Sequence, residues 1–168
     1  MKINVMMITG QGMERIFSSE DWVKEAIEEA IDGTVREFQV CFQMERVNQR
    51  VLVGVQFSFS GVCVCMRCAS PMTIQFSDDE DLVYDPIEET KKTEEQELEI
   101  DDLDLGWYED GKIDLSVVLC EAIVLSLPDK MHCGLDFVPE KPKGNCYTSP
   151  VKEERRLENM FANIIKKQ

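Results

Sequence analysis

Polar and apolar positions change period several times along the chain, and each change predicts a new element. Trp22, Val23, Ala26, Ile27, Ala30 and Ile31 recur at the spacing of one helical face. Ser18 precedes them as an N-cap. Glu20 and Asp21 fall in the first turn, where carboxylates complement the helix dipole, and Gly33 closes the run. A helix over 19–32 is expected. The period then drops to two. Phe38, Val40, Phe42 and Met44 alternate with Glu37, Gln39, Gln43 and Glu45, as in a strand with one buried face. Asn48-Gln49 marks a turn, and Val51, Val53, Val55, Phe57 and Phe59 share one face of a second strand. So short a link implies an antiparallel hairpin, with Gly61 as the site of a bend or bulge.

Strand character continues through Val62, Val64 and Met66 to Cys68, and resumes at Met72, Ile74 and Phe76. Leu82, Val83 and Tyr84 extend it before Pro86. Leu98, Ile100, Leu103 and Leu105 suggest a last strand with a bulge at Asp101-Asp102. Residues 2–8 read as a first strand and 10–17 as a loop, given Gly10 and Gly12. A second helix runs over 114–127, from Asp114 as N-cap to Pro128 as stop. Its few polar positions predict burial on most sides. Residues 129–150 form a loop. Leu157, Met160, Phe161 and Ile164 make a helical stripe within 153–166, flanked by Arg155, Arg156, Lys166 and Lys167. That stripe is expected to dock on the domain rather than bind RNA. The reading is α+β: a single domain over 1–168, with a twisted antiparallel sheet and flanking helices.

A length of 168 residues suits one domain able to bury a core without disulfides. No apolar run approaches the roughly 20 residues of a membrane span. The N-terminus lacks a signal-peptide cleavage pattern, so a cytoplasmic protein is expected. Charge changes the picture more. Thirty-three acidic and 18 basic residues give −15. Residues 78–110 hold 16 acidic residues and two lysines, so −14 lies there and −1 on the rest. The charge argues against a broad phosphate clamp, since such binding needs Lys and Arg to neutralise phosphates. It leaves direct nucleic-acid contact open, because the near-neutral remainder, with Arg155, Arg156, Lys166 and Lys167, could still touch RNA locally. The acidic stretch reads either as a solvated, partly flexible segment or as a surface that attracts a basic partner.

Candidate chemistry centres on cysteine. Cys65-Met-Arg-Cys68 is a CxxC, whose spacing lets two thiolates grip one metal from a tight turn. The further ligands for a structural zinc ion are Cys133 and Cys146, with His132 as a substitute. Free thiols in a turn and a redox pair are the alternatives. The redox reading is weakened because strand-like residues flank the pair, where low-pKa thiols normally open a helix. One histidine leaves little room for nucleophilic catalysis, and crowded carboxylates read as a solvated face rather than an acid/base pair. Gly10-Gln11-Gly12 is neither a dinucleotide fingerprint nor a phosphate loop.

The CxRC after a strand, followed by Pro71, is similar to the YceD family of large ribosomal RNA subunit accumulation proteins. So is Ile113-Asp114-Leu115 leading to Glu121 and the apolar run ending in Leu127-Pro128. His132-Cys133 resembles the family's Cys-containing loop, and Asn159 to Ile164 its terminal helix, with Met160 where a proline is common. The resemblance implies a non-enzymatic role in making the large ribosomal subunit, with no catalytic residue. Combined with the charge, it suggests an indirect route through a basic ribosomal protein or a pre-ribosomal particle. The expected contacts are Asp78, Asp79, Glu80, Asp81, Asp101, Asp102 and Asp104.

Overall fold

A computed structural model of the chain describes residues 1–9, 11–87 and 105–138. Strand β1 is Lys2–Asn4, followed by a short 3-10 turn at Val5–Met7, and β2 is Met13–Phe17. Helix α1 spans Asp21–Ile31, β3 Gly33–Val47, β4 Arg50–Val64 and β5 Pro71–Pro86. Then come β6 at Leu105–Tyr108, β7 at Lys112–Asp114 and α2 at Leu115–Ser126. The main sheet has the order β2-β3-β4-β5-β6, and β1 pairs with β7 in a second, small sheet. All main-sheet pairs are antiparallel except β5 with β6, which is parallel. The architecture is the expected α+β.

Alternation in the sequence became alternation in burial. Every odd position of β4 from Val51 to Cys63 is buried, and the even ones turn away. Opposite them, Val40, Phe42 and Met44 of β3 and Met72, Ile74, Leu82 and Tyr84 of β5 face the same core. Helix α1 packs on β3 and α2 on β5, and the two helices pack on each other. One sheet face is therefore covered by the helices. Among the described residues no helix packs on the other, the open face.

Several local expectations are corrected. Residues 13–17 form an edge strand rather than a loop, because Phe17 buries itself against Trp22 and Phe42. The first strand stops at Asn4, whose side chain accepts from the Met6 N–H and turns the chain. Ser18 does not cap α1. Glu20 holds the N-cap position, and its carboxylate accepts from the Ser18 and Ser19 N–H groups, 3.0 Å each. The left-handed residue that ends α1 is Asp32, while Gly33 already belongs to β3. The bulge lies on β3 between Val35 and Glu37, opposite Gly61. A Cβ on Gly61 would sit 2.5 Å from the Thr34 carbonyl oxygen, so only glycine admits that approach. Beyond Val64 the chain leaves the sheet, so Cys65–Cys68 form a turn.

Asp114 caps α2 as expected, its carboxylate accepting from Ser116 N at 3.2 Å. Burial pushes this carboxyl up. Hydrogen bonds from Ser116 and the amino terminus outweigh that and hold it at about 2, below the usual 3.8. The stabilisation is therefore complete above pH 3.8 and is lost as pH falls toward 2. Asp114→Ala is expected to cost about 1 kcal/mol at neutral pH, read from urea unfolding. The gap to wild type should close as acid protonates the native carboxylate.

Helix α2 departs from its predicted burial. Leu115, Val118, Leu119, Ala122 and Ile123 are buried, but Val117, Val124 and Leu125 are 54–60% exposed. The helix lies at the edge of the core, so one apolar side has nothing from the described residues over it.

Candidate functional site

Strand β4 ends at Val64, and the chain reverses into β5 through Cys65–Ser70. Cys65 N donates to Ser70 O at 3.0 Å, Ala69 N donates to Cys65 O at 2.8 Å, and Ala69 takes the left-handed conformation. This is a tight turn with a cysteine at each end of its CxxC. Pro128 stops α2 and sends the next segment back over that turn. Met66 N donates to Met131 O at 2.8 Å, and Gln75 N to Phe137 O at 3.0 Å. Phe137 also packs edge-on against Phe76 of β5, 4.9 Å between ring centres. These bonds place Cys133 beside the CxxC.

The Sγ atoms of Cys65, Cys68 and Cys133 all lie within 4.8 Å of one another. Cys65 and Cys133 are buried and Cys68 is half-buried. Cys133 N donates to Cys65 Sγ at 3.4 Å. Burial alone pushes the Cys65 thiol up. Backbone N–H groups of Cys133, Cys68 and Arg67, with the Cys68 thiol, outweigh it and bring it down to about 6. Such donors stabilise a thiolate, the form that ligates metal. Zinc–thiolate bonds of about 2.3 Å in a tetrahedron set sulfurs about 3.8 Å apart, so three thiols at this spacing fit zinc. They would supply three of four ligands.

Cys146 lies outside the described residues. His132 is not one of the three clustered donors. It is half-buried beside Cys133, and its Nδ1 accepts from Gly134 N at 3.1 Å. Cys63 points into the core, where burial, and then the Cys65 charge, raises its thiol. Cys41 faces the other way from Phe42, as expected, with its thiol 3.6 Å from Glu14 Oε1. Cys120 lies half-buried on α2.

The acidic run has a different form from the one expected. Asp78, Asp79, Glu80 and Asp81 are not in a flexible stretch but in the middle of β5, paired with Phe57, Gln56, Val55 and Gly54 of β4. A strand sends neighbours to opposite faces. Asp79 and Asp81 therefore lie on the open face. Asp78 and Glu80 lie on the helix-bearing side, where Glu80 accepts from Ser126 Oγ of α2 at 3.1 Å. Asp101, Asp102 and Asp104 fall outside the described residues, as do the expected last strand before Leu105 and the terminal helical stripe within 153–166.

The open face is mostly polar and mainly acidic. Its one described cation on β4, Arg50 at the far end, is paired with Asp85 of β5 at 2.7 Å. In register across β3, β4 and β5 run Glu37, Ser60 and Gln75; then Gln39, Ser58 and Ser77; then Cys41, Gln56 and Asp79. Gln43, Gly54 and Asp81 follow, and then Glu45, Leu52 and Val83. None of these positions holds a lysine or arginine. Glu14 of β2 joins the edge beside Gln43. A shallow trough of about 580 Å³ runs along the Glu37–Ser77 end. Glu14, Glu37 and Glu45 were not singled out from sequence. Their signal was the polar half of the β3 alternation, which becomes a surface only once register aligns it with Asp79 and Asp81.

Fold and site together define an α+β module with a three-thiol knuckle at one end of its sheet and an acidic face open to solvent. The chain belongs to the YceD family: the family model described as "Large ribosomal RNA subunit accumulation protein YceD" matches residues 53–163. That span holds β4 from Val53 onward, β5, the cysteine knuckle and α2. Searches of curated proteins and of solved structures found no match. Among the described residues no helix is long and apolar enough to cross a membrane.

Proposed function

We propose that this chain is a non-enzymatic factor supporting accumulation of large-subunit ribosomal RNA by binding a basic ribosomal protein, alone or within a pre-ribosomal particle. The observation that carries the reading is the family match over 53–163. The acidic face supports the indirect route. A ribosomal protein must be kept from other polyanions before it reaches RNA, and a mainly acidic surface offers it a soluble counter-surface. The same surface repels phosphate. Asp79 and Asp81 are the proposed contacts on the open face. Asp78 and Glu80 carry the charge to the helix side, and Asp101, Asp102 and Asp104 extend it in sequence.

In this proposal the knuckle is structural. Cys65, Cys68 and Cys133 hold a zinc ion, with Cys146 as the fourth ligand and His132 as its substitute. The ion ties the β4–β5 turn to the segment after α2. A redox role for the CxxC requires an accessible, low-pKa thiolate at Cys65 or Cys68. The lowered thiol is Cys65, which is completely buried, while Cys68 is half-buried. Slow alkylation of both at neutral pH would argue against that role. The work is proposed to take place in the cytoplasm, where ribosome assembly supplies the partner.

Removing the protein from the cell that makes it tests the function itself. Large-subunit ribosomal RNA is expected to fall relative to small-subunit RNA, and re-expression to restore the ratio. An unchanged ratio would overturn the proposal.

A further inference from the structure

Helix α2 leaves apolar side chains in solvent next to α1. Val117 and Val124, with Trp22 of α1 and the half-buried Cys120, line a groove of about 600 Å³ between the two helices. Its rim is acidic: Glu25 and Glu29 from α1 and Glu121 from α2, with no lysine or arginine in the lining. At Val124 the apolar surface continues into a second hollow of about 310 Å³, which reaches Val64, Met66 and Met131 beside the knuckle. Exposed apolar surface of this extent, edged by charge, marks a place where another apolar surface sits.

The sequence holds a segment complementary to it. Leu157, Met160, Phe161 and Ile164 fall on one face at helical spacing, with Arg155, Arg156, Lys166 and Lys167 at the two ends. The stripe from 157 to 164 spans about 10 Å on a helix. The groove wall from Ser116 to Val124 spans about 12 Å on α2. Val138 is buried in the domain, and the 19 residues from it to Leu157 reach up to about 60 Å when extended. A tether of that length gives an effective concentration of order millimolar, far above that of a partner in solution. The charges also match in sign: apolar side chains ringed by cations meet an apolar groove ringed by carboxylates.

We propose that residues 155–167 dock in cis in the groove between α1 and α2, with the apolar stripe inward and the Arg and Lys side chains toward Glu25 and Glu29. The docked segment clamps the two helices together and covers the apolar side of α2. It also removes the chain's main cationic cluster from solution, which leaves the acidic sheet face as the dominant outward charge.

Cys120 is the reporter, because it lines the groove. Its alkylation by iodoacetamide, followed by mass spectrometry on the full chain, is compared between wild type and Leu157→Asp/Phe161→Asp. Docking predicts alkylation at least 5-fold faster in the double variant. A peptide of residues 153–168 added in trans should slow it again, and the buried Cys63 should stay unreactive in both proteins. If the apolar substitutions unfold the protein, so that Cys63 reacts too, Arg155→Glu/Arg156→Glu/Lys166→Glu/Lys167→Glu takes their place. The same acceleration is expected from it, as is a faster Cys120 reaction of wild type at high salt. Equal Cys120 rates in wild type and in the folded variant would overturn the proposal. So would protection that rises with protein concentration, which would assign the groove to a second copy.

Discussion

Stripping metal from the folded protein with a chelator is expected to lower its melting temperature by about 8–16 °C. A ligand held at 1,000 times its dissociation constant stabilises the folded state by about 4.1 kcal/mol. Each kcal/mol moves the midpoint by about 2–4 °C in a domain of this size. The loss falls on one region. Without the ion, the turn at Cys65–Ser70 and the segment at 129–138 are joined by the Met66–Met131 and Gln75–Phe137 backbone bonds and the Phe76–Phe137 ring contact. Cys65→Ser is expected to lower the midpoint to the same degree and to abolish the chelator effect, because the serine oxygen is a poor stand-in for a soft thiolate. Zinc content by elemental analysis should fall from one per chain to none. A metal-free protein whose midpoint ignores the chelator would leave three thiols that bind no metal, and the knuckle would then be held by hydrogen bonds and packing alone.

Replacing Asp79 and Asp81 with asparagine is expected to slow association with a basic ribosomal protein by about 10-fold or more at low salt, with the difference shrinking as salt rises. The double change removes charge from the open face without altering side-chain size. Asp78→Asn/Glu80→Gln removes the same formal charge from the same stretch, but on the helix-bearing side, where Glu80 is already bonded to Ser126. That pair is expected to have the smaller effect. Surface plasmon resonance at two salt concentrations separates the two variants. Equal effects would mean that the partner senses only net charge. No effect from either would remove the acidic strand from the contact.

The contrast between these variants shows what the sequence carried and what it did not. Alternation at Phe38–Met44 and Val51–Phe59 announced the hairpin, and Asn48-Gln49 its turn, because a half-buried strand leaves a period of two wherever one face meets the core. The α2 cap at Asp114 and its stop at Pro128 were legible for the same local reason. The run Asp78–Asp81 was misread because four consecutive carboxylates hide that period. Only the apolar residues on both sides, Ile74 and Phe76 before and Leu82 and Tyr84 after, show that a single strand passes through. The CxxC was visible as a motif, but its meeting with Cys133 depends on the path of the chain after α2, which no local spacing records. The apolar composition of α2 predicted burial on most sides. Composition does not say which side the rest of the fold covers, and Val117, Val124 and Leu125 were left outside.

Affinity purification of the full chain at low salt, with mass spectrometry and RNA analysis of what accompanies it, tests the central claim most directly. The account predicts basic large-subunit ribosomal proteins, or particles that contain them, recovered with the wild type and depleted with Asp79→Asn/Asp81→Asn. Any large-subunit RNA should leave the sample when those proteins are removed. Recovery of no ribosomal protein, or of ribosomal RNA that stays bound after the proteins are stripped away, would contradict it.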